Sequence, residues 1–251
     1  MVKRLLALIL AGLLAVGCAG MAEQAERDKS RADAHLRLGA AYLRQGQTNM
    51  AFRELFAGQK LDPDNPEIYT HIGWAYRLEG RHREAVEQFQ KALALKPDFS
   101  EAHNFLGSAY MEMGRNEEAL AEFRKALTDL TYRTPWFALN NIGLVYLNQG
   151  RYMEAASAFR QAIERESRWH VAHYNLGLAL AGEGRYEEAL DAFNAAIRNA
   201  AGYAAAYYAL GDTFERLGRY DEARRAYEQL IKMDPEGSLT DGARQRLKSL
   251  R

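Results

Sequence analysis

Residues 176–193 read LGLALAGEGRYEEALDAF. Gly177 is followed seven residues later by Gly184, and five residues after that comes Ala189. Leu176 and Leu180 stand four apart before the second glycine, and Ala189 and Phe193 stand four apart after it. That is the spacing of one apolar helical face on each side of a break. Gly184 marks the break, because glycine enters the left-handed conformation that closes a helix. Gly177 falls inside the first helix, where glycine is costly, so its use there is to admit a close neighbour. The alanine is expected to face that glycine and keep the pair tight. The stretch predicts a helix, a tight turn and a second helix folded back on the first. Gly182 and Gly184 lie in the helical turn and make no phosphate loop.

The same letters recur along the chain. Gly39, Gly73, Gly107, Gly143, Gly177 and Gly211 are spaced 34, 34, 36, 34 and 34 residues apart. Each has its second glycine (Gly46, Gly80, Gly114, Gly150, Gly184, Gly218) and its alanine (Ala51, Ala85, Ala119, Ala155, Ala189, Ala223). Larger apolar residues keep step: Leu55, Phe89, Phe123, Phe159, Phe193 and Tyr227 in the second helices. A fixed period of this length is the mark of a repeat architecture. Six helix pairs are expected at 32–65, 66–99, 100–135, 136–169, 170–203 and 204–237, with a solvating helix over 238–251. The extra two residues fall in TDLTYRTPW, residues 128–136. Pro135 cannot sit inside a helix, so the first helix of the fourth pair is expected to start there. Two readings of the insertion stay open: a tolerated loop, or a change of twist.

The period, the glycine–glycine–alanine lattice and the closing prolines Pro63, Pro97 and Pro235 resemble the tetratricopeptide repeat. That resemblance implies an all-α fold, a right-handed superhelical solenoid of six repeats with a capping helix. It also implies that first helices line a concave face.

The N-terminus carries a different signal. Lys3 and Arg4 precede LLALILAGLLAV, residues 5–16, and the only cysteine, Cys18, follows Gly17. A basic start, a short apolar core and a small residue before a cut describe a secretory signal peptide over 1–17. The segment resembles a bacterial lipoprotein signal, which implies a covalent lipid on Cys18 and, with Ala19 next, the periplasmic side of the outer membrane. Each buried methylene of such a lipid adds ~0.8 kcal/mol to membrane binding. The alternative is a single-pass inner-membrane anchor, short against the roughly 20 apolar residues a span wants. Residues 18–31 read as a lipidated tether; residues 19–31, fully extended, would reach about 43 Å. With no cysteine beyond Cys18, the chain has no disulfide, thiol nucleophile or thiolate metal site.

Lys+Arg and Asp+Glu both total 33, and removal of 1–17 takes away two bases. A near-neutral chain argues against nucleic acid as a partner. No catalytic constellation, metal site, cofactor or small-molecule substrate is expected. His170 and His173 stand three apart, a spacing metals use, but His35, His103 and His173 share a packing place in their repeats. What is left is the face of the first helices. Helical spacing places on it Glu67, Thr70, Trp74 and Arg77; Glu101, Asn104, Ser108 and Met111; Phe137, Asn140, Leu144 and Leu147; and Val171, Tyr174, Leu178 and Ala181. An apolar strip through the fourth and fifth repeats, extended by Trp74 and Met111, predicts a protein partner. Asn104, Asn140, Asn141 and Asn175 are expected to border it with amides that suit a peptide backbone. Leu36, Ala40, Thr70 and Asn104 stand where a basic clamp for an acidic C-terminal tail would be, so no such recognition is expected.

A lipoprotein signal, six repeats and the lengthened junction LTDLTYRTPWFALNNIGLVYL (residues 127–147) together resemble the type IV pilus biogenesis and stability lipoproteins, or pilotins. The resemblance implies a non-catalytic, outer-membrane-anchored scaffold that binds secretin subunits and promotes their localisation and assembly. The alternative is a periplasmic scaffold for cell-wall enzymes or another envelope complex.

Overall fold

The computed structural model describes residues 2–250, with side chains for Met21 and residues 23–250. Among these residues it is all-α, with thirteen helices and no strand. The chain divides into two compact units, 1–114 and 115–251. The N-terminal unit holds α1 (Val2–Arg44), α2 (Thr48–Leu61), α3 (Pro66–Leu78), α4 (His82–Leu95) and α5 (Ser100–Glu112). Each packs on the next, and α3 also packs on α5. The C-terminal unit holds α6 (Asn116–Ala126), α7 (Pro135–Asn148), α8 (Tyr152–Arg165), α9 (His170–Gly182), α10 (Tyr186–Asn199), α11 (Ala204–Arg216), α12 (Tyr220–Met233) and α13 (Thr240–Ser249). Here too neighbours pack in order, with α7 on α9 and α9 on α11.

At Gly39, Gly73, Gly143, Gly177 and Gly211 the first glycine works by close approach, and what it meets first is a large side chain of the second helix. A Cβ on Gly73 would lie 2.6 Å from the ring of Phe89, and one on Gly177 would lie 2.4 Å from that of Phe193. Leu55, at 2.7 Å, takes the ring's place under Gly39. Phe89, Phe159, Phe193 and Tyr227 are wholly buried. Burying one such side chain contributes about 1.5–3 kcal/mol, so these rings are the main rivets of the helix pairs.

The second glycine ends the first helix as expected. Gly80 has φ +72°, and the next N–H, of Arg81, donates to Tyr76 O at 2.9 Å, closing the helix in a Schellman turn. The arginine then does two more things. Its guanidinium lies 4.4 Å over the Tyr76 ring, and its Nε donates to Glu84 at 2.8 Å, one turn into the second helix. Arg151 with Tyr146 and Glu154, and Arg219 with Phe214 and Glu222, repeat the arrangement. Gly182 has a separate reason: the ring of Tyr152, from the preceding pair, lies where its Cβ would be, 2.6 Å away.

Two departures stand out. The segment 18–31, read from the sequence as a lipidated tether, continues α1 as helix. Its alanines, glutamates and arginines favour helix, and Arg27 pairs with Glu23 at 2.6 Å across one turn. As helix, 19–31 spans about 20 Å rather than about 43 Å. The inserted residues lie in a connection, 127–134, between α6 and α7. Helix α6 has 11 residues against 14 in α4 and α8, so the loop is longer than the insertion alone. Asp129 Oδ1 accepts from the N–H and hydroxyl of Thr131, Leu130 is 100% exposed, and α7 opens on Pro135.

Candidate protein-binding face

In the N-terminal unit the face of α3 and α5 combines internally bonded polar groups with two apolar side chains, Trp74 and Met111. Thr70 is buried and donates to Pro66 O at 2.9 Å; Ser108 is buried and donates to Asn104 O at 2.9 Å. Arg77 pairs with Glu112 at 2.6 Å, tying α3 to α5. Trp74 and Met111 are half-buried, and Trp74 spends one face on Phe105, with ring centroids 5.7 Å apart. Asn104 is buried.

The C-terminal unit differs at the same places. Phe137 is 42% exposed at the start of α7. Leu144 and Leu147 are half-buried, packed against the cluster of Ala155, Ala156 and Phe159. Tyr174 and Leu178 are half-buried against the Phe193 cluster. Beside them opens a cavity of about 290 Å³, lined by Tyr174, Leu178, Phe193, Tyr208, Asp212 and Leu239 among others.

Two of the four amides are bonded to each other. Asn140 and Asn175 are both buried, and Asn175 Nδ2 donates to Asn140 Oδ1 at 2.8 Å. They join α7 to α9 rather than offering both amides to a ligand, because a buried amide has to be paired. Asn141 is half-buried.

Sequence reasoning named Phe137 and Tyr174 but missed the rings beside them at the helix starts, Trp136, Trp169 and Tyr203. Trp136 and Phe137 lie 5.7 Å apart, and Phe137 meets Trp169 edge-on at 5.1 Å. Tyr203 meets His170 at 4.8 Å and Tyr174 at 5.2 Å, both edge-on. Trp169 and Tyr203 are 34 residues apart, the repeat period, which was the available signal. Burial pushes the phenols of Tyr174 and Tyr203 up from their ordinary range. At the far end, Arg246 of α13 reaches Asp212 at 3.1 Å and Glu215 at 3.2 Å. Tyr227 donates to Glu215 at 2.6 Å, and burial and that carboxylate both raise its pKa. The acids of α11 are thus balanced within the unit.

Three of the histidines are bonded within the fold. His103 Nε2 donates to Pro97 O at 2.9 Å, His173 Nε2 to Ser167 O at 2.8 Å, and His35 Nδ1 to Glu54 at 2.8 Å. Among the described residues no group of three or more His, Cys, Asp or Glu could hold a metal ion. No helix among them is long and apolar enough to cross a membrane. Cys18 lies on α1, and its side chain is outside the described residues, as are those of the apolar run before it.

Family models described as tetratricopeptide repeats match residues 140–204, 73–114, 204–236 and 102–135. No curated protein sequence matches. Among solved structures, pilF of Pseudomonas aeruginosa superposes with a TM-score of 0.75 at 21% identity, over 87% of this chain and 99% of that one. PilW, described as a widely conserved type IV pilus biogenesis factor, gives 0.77 at 23% identity, over 84% and 97%. YrrB, described as a TPR protein with an unusual peptide-binding site, gives 0.57 at 22% identity, over 76% and 97%.

Proposed function

This chain is a tetratricopeptide-repeat protein, and from that premise we propose that it is a non-catalytic scaffold of the bacterial envelope that assists type IV pilus biogenesis. The face of α7 and α9 holds a segment of a partner protein, and the partner is a secretin subunit. A covalent lipid on Cys18 keeps the protein on the periplasmic side of the outer membrane. Confinement beside the bilayer raises the effective concentration of captured subunits and favours their assembly. No bond is made or broken.

The observation that carries this reading is the contrast at equivalent places. Thr70 of α3 stands at the place of Tyr174, and Ser108 of α5 at the place of Leu144 and Leu178, so repeat packing does not demand an apolar side chain at each of these places; Trp74 and Met111 are the apolar members of the N-terminal face. The likeness in fold to pilF and PilW over nearly their whole lengths supports the pilus assignment.

The test replaces Leu144 and Leu178 by glutamate together in the cell. Secretin multimers should be lost from outer membranes while the purified variant keeps its circular dichroism. Multimers at wild-type level would defeat the assignment. Capture of cell-wall hydrolases in place of secretin, in a pull-down from solubilised outer membranes, would redirect it. A Cys18→Ser variant that still fractionates with the outer membrane would remove the lipid anchor from the account.

A further inference from the structure

We infer that the outer side of α1, in the N-terminal unit, is a docking surface separate from the face of α7 and α9. It takes one amphipathic helix of a partner protein, acidic at its start and antiparallel to α1. The structure covers the equivalent surface five times. In α3 that surface is Ile68, Ile72 and Ala75, and in α7 it is Ala138, Ile142 and Val145, all buried. The corresponding residues of α5, α9 and α11 are buried too, apart from half-buried Leu176. Each time the second helix of the preceding pair packs there, from α2 on α3 to α10 on α11. In α1 the same places hold Ala34, Leu38 and Ala41. Ala34 is exposed, Leu38 is 43% exposed and Ala41 is half-buried. Among the described residues the chain ahead of Ala34 continues as α1, so no earlier helix folds over the stripe.

The C-terminal unit closes its own end differently. There α13 buries Thr240 and Ala243 and leaves Asp241, Arg244, Gln245 and Lys248 exposed. A repeat array needs such a polar end to stay soluble. The stripe on α1 is instead one half of a junction, and five junctions in this chain show that the other half is a helix. A second copy does not supply it. The exposed side of α13 is polar, and two α1 stripes set face to face would bring their own arginines together.

The internal junctions also give the direction and charge of the docked helix. The head of a second helix meets the residue five places past the first glycine of the next pair. The Tyr152 ring, at the head of α8, lies 2.6 Å from where a Cβ of Gly182 would be, and His82 Nδ1, at the head of α4, lies 3.2 Å from Glu112. In α1 that residue is Arg44. Arg37 and Arg44 are exposed and join no ion pair among the described residues. The acids around them are mostly engaged: Glu23 with Arg27, Asp28 with Arg31, Glu54 with His35 and Glu79 with Thr48. Asp33 and Glu26 are exposed, but Asp33 lies off the stripe, at the place of Glu67 and Glu101, and Glu26 is about two turns ahead of Ala34. An acidic first turn, which the helix dipole favours, therefore finds Arg44 opposite it.

The test titrates the isotope-labelled full chain with a synthetic peptide of the α10 sequence, YEEALDAFNAAIRN, residues 186–199. In the α10–α11 junction its Leu190 and Phe193 cluster with Leu210, which stands at the place of Leu38. One control peptide carries Glu187→Lys with Glu188→Lys, the other Leu190→Glu with Phe193→Glu. A short free helix is marginal in water, so nuclear magnetic resonance, which registers weak binding, is the readout. Saturable shifts are expected at Ala34, Leu38, Ala41 and Arg44, with either control bound roughly tenfold more weakly. In the protein, Leu38→Glu should weaken the parent peptide by roughly tenfold. Arg44→Glu should make the lysine peptide the better ligand, an exchange that damage to the fold cannot produce. Both residues are exposed, and unchanged circular dichroism certifies each variant. No saturable shift, equal binding of the lysine peptide, indifference to Leu38→Glu, or shifts on α7 and α9 in place of α1 overturns the inference. So does a dimer in sedimentation that Leu38→Glu dissolves, which gives the stripe to a second copy. So does binding to phosphatidylglycerol vesicles that Leu38→Glu abolishes while the peptide leaves α1 unshifted, which gives it to the bilayer.

Discussion

The face of α3 and α5 in the N-terminal unit and that of α7 and α9 in the C-terminal unit are built on the same frame and finished differently. Under each lies a wholly buried phenylalanine against a glycine, Phe89 on Gly73 and Phe159 on Gly143. Above it, one face pairs internally bonded polar groups (Thr70, Ser108 and the Arg77–Glu112 pair) with Trp74 and Met111. The other presents Phe137, Leu144, Leu147, Tyr174 and Leu178. The difference teaches that the residues making a repeat fold and those deciding what it touches occupy separate places. Half of the chain can therefore specialise without disturbing the packing.

If the frames are equal, equal damage should follow from equal cuts. Phe89→Ala and Phe159→Ala should each cost about 3–5 kcal/mol in denaturant unfolding, by lost transfer energy and a cavity. A large loss in one unit and a negligible one in the other would break the comparison at its base. Next in size is the amide pair of the C-terminal unit. Asn140→Ala should cost about 1–3 kcal/mol, since Asn175 is left buried with its partner gone. Replacing both amides by apolar residues of like size should recover much of that loss, which a double-mutant cycle would read. The Arg77–Glu112 pair of the N-terminal unit is partly exposed and should contribute no more than about 1 kcal/mol, lessened by salt.

The smallest expected effects are in pH, and they divide the units. His35 holds Glu54 of the N-terminal unit below the usual carboxylate range, chiefly by its hydrogen bond. Its stabilisation is present above the ordinary glutamate value of about 4.3 and is lost as pH falls through the lowered folded value. Glu54→Gln should flatten that acid limb. Tyr174, Tyr203 and Tyr227 of the C-terminal unit have raised values. The folded state keeps their protons longer than the unfolded state does, so stability declines as pH rises above about 10. Ultraviolet titration of tyrosinate alongside thermal melts would detect it.

The frame was legible because each lattice residue meets a local demand. Gly184 must adopt φ +79°, Gly177 must admit the Phe193 ring, and Pro135 must open a helix. Such demands leave a periodic trace in one sequence. Contacts between repeats leave less. The Asn140–Asn175 bond joins residues 35 apart on different helices, and from the sequence each looked like a surface amide. Arg246 reaching back to Asp212 and Glu215 is likewise set by where α13 packs. The arginine of the turn was legible and overlooked in five of the six repeats: Arg81, Arg115, Arg151, Arg185 and Arg219 recur with the glycine before them and a glutamate three residues on. The helical course of 18–31 could also be anticipated from its alanine, glutamate and arginine content, which glycine-rich neighbours obscured.

Site-specific photocrosslinking in cells compares the two faces most directly. A photoreactive residue in place of Leu144 or Leu178 is set against one in place of Glu101, on α5. The account predicts a crosslinked partner polypeptide at 144 and 178 and none above background at 101. Equal crosslinking at 101, or none at 144 and 178 from a folded, membrane-associated protein, would contradict it.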